Sequence, residues 1–220
     1  NYNGPASFDY TVSDGDLTDT GTVNIDVTAV NDAPAAVDDS RTTEEDTPVT
    51  IDVVANDTDV DNNNLTVTEV AGQAIATGET IAVANGQVTL NDDGTLTFTP
   101  AANYNGPASF DYTVSDGDLT DTGTVNIDVT AVNDAPAAVD DSRTTEEDTP
   151  VTIDVVANDT DVDNNNLTVT QIAGQDVMAG DTVMVENGQV TLNNDGTLTF
   201  TPADNYNGPA SFDYTVSDGD

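Results

Sequence analysis

The sequence predicts an all-β protein built from tandem two-sheet sandwich modules. Three observations support this: a long internal repeat, short runs of alternating apolar and polar residues, and turn-forming residues between the runs. The segment NYNGPASFDYTVSDGD begins at residues 1, 103 and 205, which gives a period of 102 residues. A repeat of that length is the size of one small domain, so each repeat is expected to fold as a complete module.

The copies of the repeat are nearly identical. Residues 1–118 and 103–220 differ at 12 positions, and ten of the differences fall between 69–84 and 171–186. Loops and edge strands tolerate substitution better than cores do. We therefore expect these two segments to lie on an exposed face of their modules.

The strand predictions come from alternation. Phe110, Tyr112 and Val114 alternate with polar residues, which is typical of a strand with one buried face. Seven such runs occur in one period: Val49–Val54, Leu65–Val70, Thr80–Val83, Gln87–Leu90, Leu96–Thr99, Phe110–Val114 and Val125–Val129.

Turn residues separate the strands, as at Asn85-Gly86, Asn105-Gly106-Pro107 and Asp116-Gly117, and no stretch shows helical periodicity. Seven short strands in about 100 residues predict a seven-stranded Greek-key sandwich of the immunoglobulin-like kind.

Module boundaries are expected at the VNDAP segments, because Pro34 and Pro136 cannot extend a strand ladder. Residues 1–31 then supply the last strands of a preceding repeat, and 32–133 form a complete module. Residues 134–220 form a module that lacks its last strand.

The charge is extreme. The chain carries 42 Asp and Glu residues against two Arg and no Lys, a net charge of -40. Such a chain repels nucleic acid and anionic membrane surfaces and attracts cations. It also contains neither Cys nor His, which excludes thiol and imidazole chemistry. No carboxylate stands out as a catalytic acid, so we do not expect an enzyme.

Acidic clusters recur once per period. They include Glu44-Glu45-Asp46, the run 56–64 (NDTDVDNNN), Ser115–Asp118 and the linker pair Asn133-Asp134. Any one cluster fits a solvated turn equally well. Their common order in each module instead favours a hard cation such as Ca²⁺, which takes six to eight oxygen ligands.

These motifs resemble cadherin repeats, above all the cadherin-like repeats of large secreted bacterial adhesins and biofilm proteins. The resemblance covers the whole chain. It rests on Glu45-Asp46-Thr47-Pro48, on Ala55–Asp59 followed by Asn63, on Ser115-Asp116-Gly117, and on the linker Ala131–Pro136.

The resemblance implies that calcium binds where modules are joined. For the first linker the implied ligands are Asn31, Asp32, Asp57, Asp59 and Asp116; for the second they are Glu45, Asn133, Asp134, Asp159, Asp161 and Asp218. Asp61 and Asp163 are further candidate ligands, and Glu147 holds the position of Glu45 in the next repeat.

The resemblance also implies an extracellular or cell-surface location and a role as a calcium-stiffened spacer, rod or filament. Its partners would be Ca²⁺, neighbouring repeats and other copies of the chain, without membrane insertion of this segment. The alternative is a calcium-dependent module that binds carbohydrate or protein. The chain has no Trp, and Tyr104, Phe110 and Tyr112 are expected to be structural.

Overall fold

The structure, a computed structural model, describes residues 2–61, 64–163 and 166–219, so the predicted ligand Asn63 lies outside it. The chain divides into two compact units, 1–131 and 132–220. The division falls in the linker just before Asn133.

Unit 1 begins with a hairpin of β1 (Gly4–Ser13) and β2 (Thr18–Val27), which pair antiparallel over ten residues each. A sandwich of nine strands follows. These are β3 (Asp39–Glu44), β4 (Val49–Ile51), β5 (Thr66–Val70), β6 (Gln73–Ala74), β7 (Thr80–Val83), β8 (Gly86–Leu90), β9 (Leu96–Pro100), β10 (Gly106–Ser115) and β11 (Thr120–Thr130).

The nine strands form two sheets, ordered β3-β11-β10-β5-β6 and β4-β9-β8-β7. All seven predicted strands are present, and the all-β immunoglobulin-like fold is confirmed. Two strands were not predicted, β3 and β6. The sequence of β3, DSRTTE, contains no apolar residue, so it gives no alternation signal. It lies at the sheet edge and pairs in parallel with β11.

The core lies between the two sheets, and the predicted alternation is confirmed. Along β10, Phe110, Tyr112 and Val114 are buried, whereas Asp111 is exposed. From the opposite sheet Phe98 stacks on Phe110, with ring centroids 6.2 Å apart. Burial of each such side chain contributes about 1.5–3 kcal/mol to folding.

Unit 2 repeats this plan in part. Its strands are β12 (Val151–Ile153), β13 (Thr168–Ile172), β14 (Gln175–Asp176), β15 (Thr182–Val185), β16 (Gly188–Leu192), β17 (Leu198–Pro202) and β18 (Tyr214–Ser217), with a 3₁₀ turn at Val156–Asn158. They form sheets ordered β12-β17-β16-β15 and β14-β13-β18.

Two parts of unit 2 differ from the nine-stranded sandwich of unit 1. Residues 141–146, identical in sequence to β3, are not in a strand, and β18 covers only four of the ten residues that match β10. No described helix is long and apolar enough to cross a membrane.

The expectation for the variable segments was partly wrong. Three of the ten differing positions in unit 1, Val70, Ile75 and Ile81, belong to the core. Their counterparts are Ile172, Val177 and Val183, so only one methylene changes at each. The exposed positions change freely, and Met178 and Met184 are 76% and 71% exposed. Core packing thus limits volume even where the surface varies.

Candidate metal site

The linker of unit 1 is hydrogen-bonded to the loops of its own module. The Asn31 side-chain amide donates to Asp116 Oδ2 at 2.7 Å, and the Asp32 backbone N–H donates to Asp61 Oδ2 at 2.9 Å. Asp61 in turn donates its own N–H to Asp59 Oδ1 at 2.7 Å. We call these five residues the head cluster, because they lie where the chain enters the module.

Turn chemistry at the end of β10 holds Asp116 in place. Its Oδ1 accepts the N–H groups of Leu119 and Asp118 at 2.7 and 2.8 Å. These bonds, together with the one from Asn31, lower the pKa of Asp116. The carboxylate therefore stays ionised in mildly acidic solution, and a charged carboxylate is the form that binds a cation.

Asp57 has a different environment, although it is only two residues from Asp59. Its Oδ1 accepts the N–H of Val37 at 2.8 Å and lies 3.0 Å from the hydroxyl of Tyr112. The same hydroxyl lies 3.1 Å from the carbonyl of Val37 and 3.3 Å from that of Val53. Asp57 therefore connects its own loop with the segment at Val37 and with the buried Tyr112 of β10.

Burial, and then the hydrogen bond and charge of Asp57, raise the pKa of Tyr112 well above its usual range. Burial also raises the pKa of Asp39, which lies at the start of β3 and has one carboxylate oxygen without a hydrogen-bond partner. Sequence reasoning identified Tyr112 as a structural aromatic but not its contact with Asp57, and it did not identify Asp39, which has no motif of its own.

Glu45 is only 3% exposed. Its backbone N–H donates to the carbonyl of Thr130, at the end of β11. Asp116 follows the opposite end of the β10–β11 ladder, which spans about 30 Å for ten residues. Glu45 therefore does not belong to the head cluster of unit 1, and its assignment to the second linker stays a prediction.

Unit 2 has a head cluster with the same connections. The Asn133 amide donates to Asp218 Oδ2 at 2.6 Å, and the Asp134 N–H donates to Asp163 Oδ2 at 2.8 Å. Asp163 donates its N–H to Asp161 Oδ1 at 2.8 Å.

Asp159 again accepts a backbone N–H, that of Val139 at 2.7 Å, and lies 3.2 Å from the hydroxyl of Tyr214. Glu147, unlike Glu45, is exposed.

The head clusters offer carboxylate and amide oxygens, which are the ligands of a hard cation. Carboxylate oxygens are buried from solvent in both clusters: Asp59 Oδ2 in unit 1, and Asp134 Oδ2 and Asp161 Oδ2 in unit 2. Across the described ranges, no three acidic side chains converge into a ready-made metal centre. The donor types therefore fit calcium, and side chains would have to draw closer to coordinate it.

The fold and the head clusters define a class: tandem immunoglobulin-like sandwich modules, each with an acidic group where its linker enters. The chain belongs to the Bacterial Ig domain family, whose model matches residues 31–128 and 133–220. No curated protein matches the sequence.

Solved structures of several kinds are similar to the chain. Extracellular cadherin domains 1–5 of protocadherin gamma B2 are 18% identical over 90% of this chain and 38% of that one, with a TM-score of 0.49. A three-domain fragment of a mouse clustered protocadherin is 19% identical over 90% and 65%, with a TM-score of 0.43. An endo-fucoidan hydrolase of glycoside hydrolase family 107 is 18% identical over 100% and 32%, with a TM-score of 0.34. The chain thus spans about a third of the hydrolase.

Proposed function

We propose that this chain is a calcium-stiffened structural repeat of an extracellular or cell-surface protein, and that it acts as a spacer, rod or filament. The observation that carries the proposal is the head cluster. One Asn and four Asp make the same hydrogen bonds at the same place in both units.

Calcium would act on the linker through charge. Each head cluster brings one Asp of the linker beside three Asp of the module loops, and two Arg in the whole chain cannot neutralise 42 acidic residues. Without a cation these carboxylates repel one another and weaken the hold of the module on its linker. A bound divalent ion reverses the sign of that interaction and fixes the linker to the module it enters.

The expected affinity suits the space outside the cell. Extracellular calcium modules have dissociation constants of about 0.1–1 mM, so they fill at the millimolar calcium found outside cells. We therefore propose that the chain is flexible before export and stiff afterwards.

A carbohydrate-binding role, the alternative, finds less support. Phe98, Phe110 and Tyr112 are buried in the complete module. The Tyr104 hydroxyl donates to the backbone carbonyl of Pro107, 2.6 Å away. In residues 32–131, leaving out 62 and 63, these aromatics serve the fold and none offers an exposed stacking platform for a sugar ring.

The test is a calcium titration of the chelator-stripped chain, followed by calorimetry and by small-angle X-ray scattering. In calorimetry we expect heat of binding at calcium concentrations from below 1 mM to the millimolar range. In scattering we expect a narrower distribution of particle dimensions when calcium is present. Magnesium should substitute poorly, because it demands octahedral geometry and keeps its water.

Variants locate the effect. Replacing Asp134→Ala together with Asp161→Ala should remove binding at the second head cluster and leave both units folded. The matched control is Asp26→Ala with Asp128→Ala, which removes the same charge from exposed strand positions. Equal heats and equal scattering in both double variants would show that the head cluster is only a solvated acidic surface.

A further inference from the structure

Inside the sandwich of unit 1, several oxygen atoms surround one hydroxyl group. The Tyr112 hydroxyl lies 3.0 and 3.2 Å from the two carboxylate oxygens of Asp57, 3.1 Å from the carbonyl of Val37 and 3.3 Å from that of Val53. The hydroxyl has a single proton to donate, so it cannot satisfy all four acceptors. This group of atoms therefore holds more acceptors than its one central donor can serve.

A second carboxylate, that of Asp39, is buried beside this group. Asp39 is 7% exposed, and its Oδ2 has no hydrogen-bond partner. Burial raises the pKa of Asp39, the positive charge of Arg41 lowers it, and the negative charge of Asp57 raises it further; the net direction is upward. The charge of Asp39 also contributes to the raised pKa of Tyr112. Asp39 and Asp57 therefore repel each other close to the hydroxyl, and Arg41 does not neutralise them.

Unit 2 brings the same groups together. The Tyr214 hydroxyl lies 3.1 Å from the carbonyl of Val139, 3.3 Å from that of Val155 and 3.2 Å from Asp159 Oδ1. Asp141, the counterpart of the buried acid at the start of β3, places its Oδ2 3.4 Å from the same hydroxyl. The second carboxylate thus points at the hydroxyl, and the arrangement recurs with the repeat.

We propose that this group is a second calcium site in each module, which we call the inner site. In unit 1 it consists of the Asp39 and Asp57 carboxylates, the Tyr112 hydroxyl and the carbonyls of Val37 and Val53. It shares no residue with the head cluster. The inner site goes beyond the proposed linker function, and neither site requires the other.

The donor set and its spacing suit calcium. Calcium binds oxygen at about 2.3–2.6 Å, so neighbouring ligands around it lie about 2.8–3.7 Å apart, whereas around magnesium they lie about 2.9 Å apart. The four contacts of the Tyr112 hydroxyl run from 3.0 to 3.3 Å. Two carboxylates, two carbonyls and a hydroxyl supply five of the six to eight ligand groups, and water can supply the rest. The two negative charges that repel each other would both be attracted to the ion.

The inner site connects elements that are distant in sequence. Asp39 begins β3 and Tyr112 belongs to β10 of the same sheet, whereas Val53 follows β4 of the opposite sheet. An ion bound to all of them would tie the two sheets together at this edge. Calcium in the inner site should therefore oppose unfolding of the module, while calcium in the head cluster would act on the linker.

The test begins by removing the head clusters. In the full chain, Asp32→Ala, Asp61→Ala, Asp134→Ala and Asp163→Ala remove two carboxylates from each head cluster and leave the inner sites unchanged. We expect titration calorimetry of this background chain with calcium to show binding at two sites. If the unmodified chain binds calcium and the background chain binds none, the inner site is overturned and the linker function is not.

A further pair of substitutions locates the remaining binding. In the background chain, Asp39→Asn with Asp141→Asn preserves side-chain shape and removes two charges, so calcium affinity should fall at least tenfold. Asp26→Asn with Asp128→Asn, at exposed strand positions, should leave it unchanged. In chelator Asp39→Asn with Asp141→Asn relieves the repulsion at both inner sites and should not lower the melting temperature, which separates lost binding from lost folding. Equal affinities in the two double variants would overturn the proposal.

Terbium gives an independent readout, because Tb³⁺ accepts the same oxygen ligands as calcium and emits when a neighbouring tyrosine transfers excitation energy to it. The chain contains no Trp, so tyrosine is the source of that energy. In the background chain, Tyr112→Phe with Tyr214→Phe should reduce the emission several-fold. Tyr104→Phe with Tyr206→Phe, whose hydroxyls donate to other carbonyls, should retain it. Equal emission from the two variants would place the ion elsewhere and overturn the inner site.

Discussion

Three equivalent tyrosines, Tyr10 on β1, Tyr112 on β10 and Tyr214 on β18, lie in identical local sequence but in three different environments. Tyr10 is 48% exposed, Tyr112 is fully buried and Tyr214 is half-buried. The hydroxyl of Tyr112 contacts Asp57 and the carbonyl of Val53. Changing tyrosine to phenylalanine at each position removes the same atom from the same peptide, so differences in stability report the environment alone.

We expect Tyr112→Phe to lower the free energy of unfolding of unit 1 by about 1.5–3 kcal/mol, the typical contribution of a hydrogen bond to a charged group. For a domain of about 100 residues that loss lowers the melting temperature by roughly 6–24 °C. Tyr10→Phe should change the free energy by less than about 0.5 kcal/mol, as exposed substitutions do. Tyr214→Phe should fall between them.

Differential scanning calorimetry is the appropriate assay, because it needs no tryptophan and reports the melting of each unit when the two melt at different temperatures. The order of effects is the critical result. If Tyr112→Phe melts like Tyr10→Phe, then the contact between Tyr112 and Asp57 does not hold the module together, and Asp57 would be available as a metal ligand instead.

Further predictions concern pH, burial and oxidation. The pKa values of Tyr112 and Tyr214 are raised in the folded state. Their contribution to the free energy of unfolding is therefore complete below the ordinary tyrosine pKa of about 10 and is lost as pH rises above it. Urea unfolding should show falling stability above about pH 10. For Asp39 the raised pKa means that the stabilising protonated form is lost above an ordinary Asp pKa of about 4. Asp39→Asn should accordingly stabilise unit 1 at neutral pH and have little effect near pH 4, measured by the same unfolding assay. Oxidation of Met178 and Met184 to sulfoxides should proceed readily and leave the melting temperature of unit 2 unchanged, since both side chains are exposed; a large shift would indicate that they are covered.

Much of the fold could be predicted from the sequence, because two-faced strands have a period of two. Phe110 and Val125 follow that period, and the structure buries both. Strand β3 could not be found in this way. Its six polar residues form a strand only because β11, more than 80 residues later in the chain, provides an edge to pair with.

The candidate site shows the same limit at the level of single residues. In the run NDTDVD the acids at 57, 59 and 61 are equally spaced; the resemblance implied Asp57 and Asp59 as equivalent ligands and left Asp61 as a further candidate. Contacts distant in sequence separate them: Asp57 faces the hydroxyl of Tyr112, while Asp61 accepts the backbone N–H of Asp32. Because each partner lies at least 29 residues away, local sequence offers no signal for the division.

The parallel pairing of β3 and β11 has a mechanical consequence. β3 is the first strand of the complete module and β11 is the last, and six residue pairs join them side by side. Tension applied along the chain pulls β3 toward its start and β11 toward its end, so the hydrogen bonds between them are loaded in shear and must break together. Forced unfolding is governed by the unfolding rate and not by equilibrium stability, so these six residue pairs would set the rate at which the module opens under load. The resistance of the module to tension would thus depend on the polar edge strand that gave no signal in the sequence.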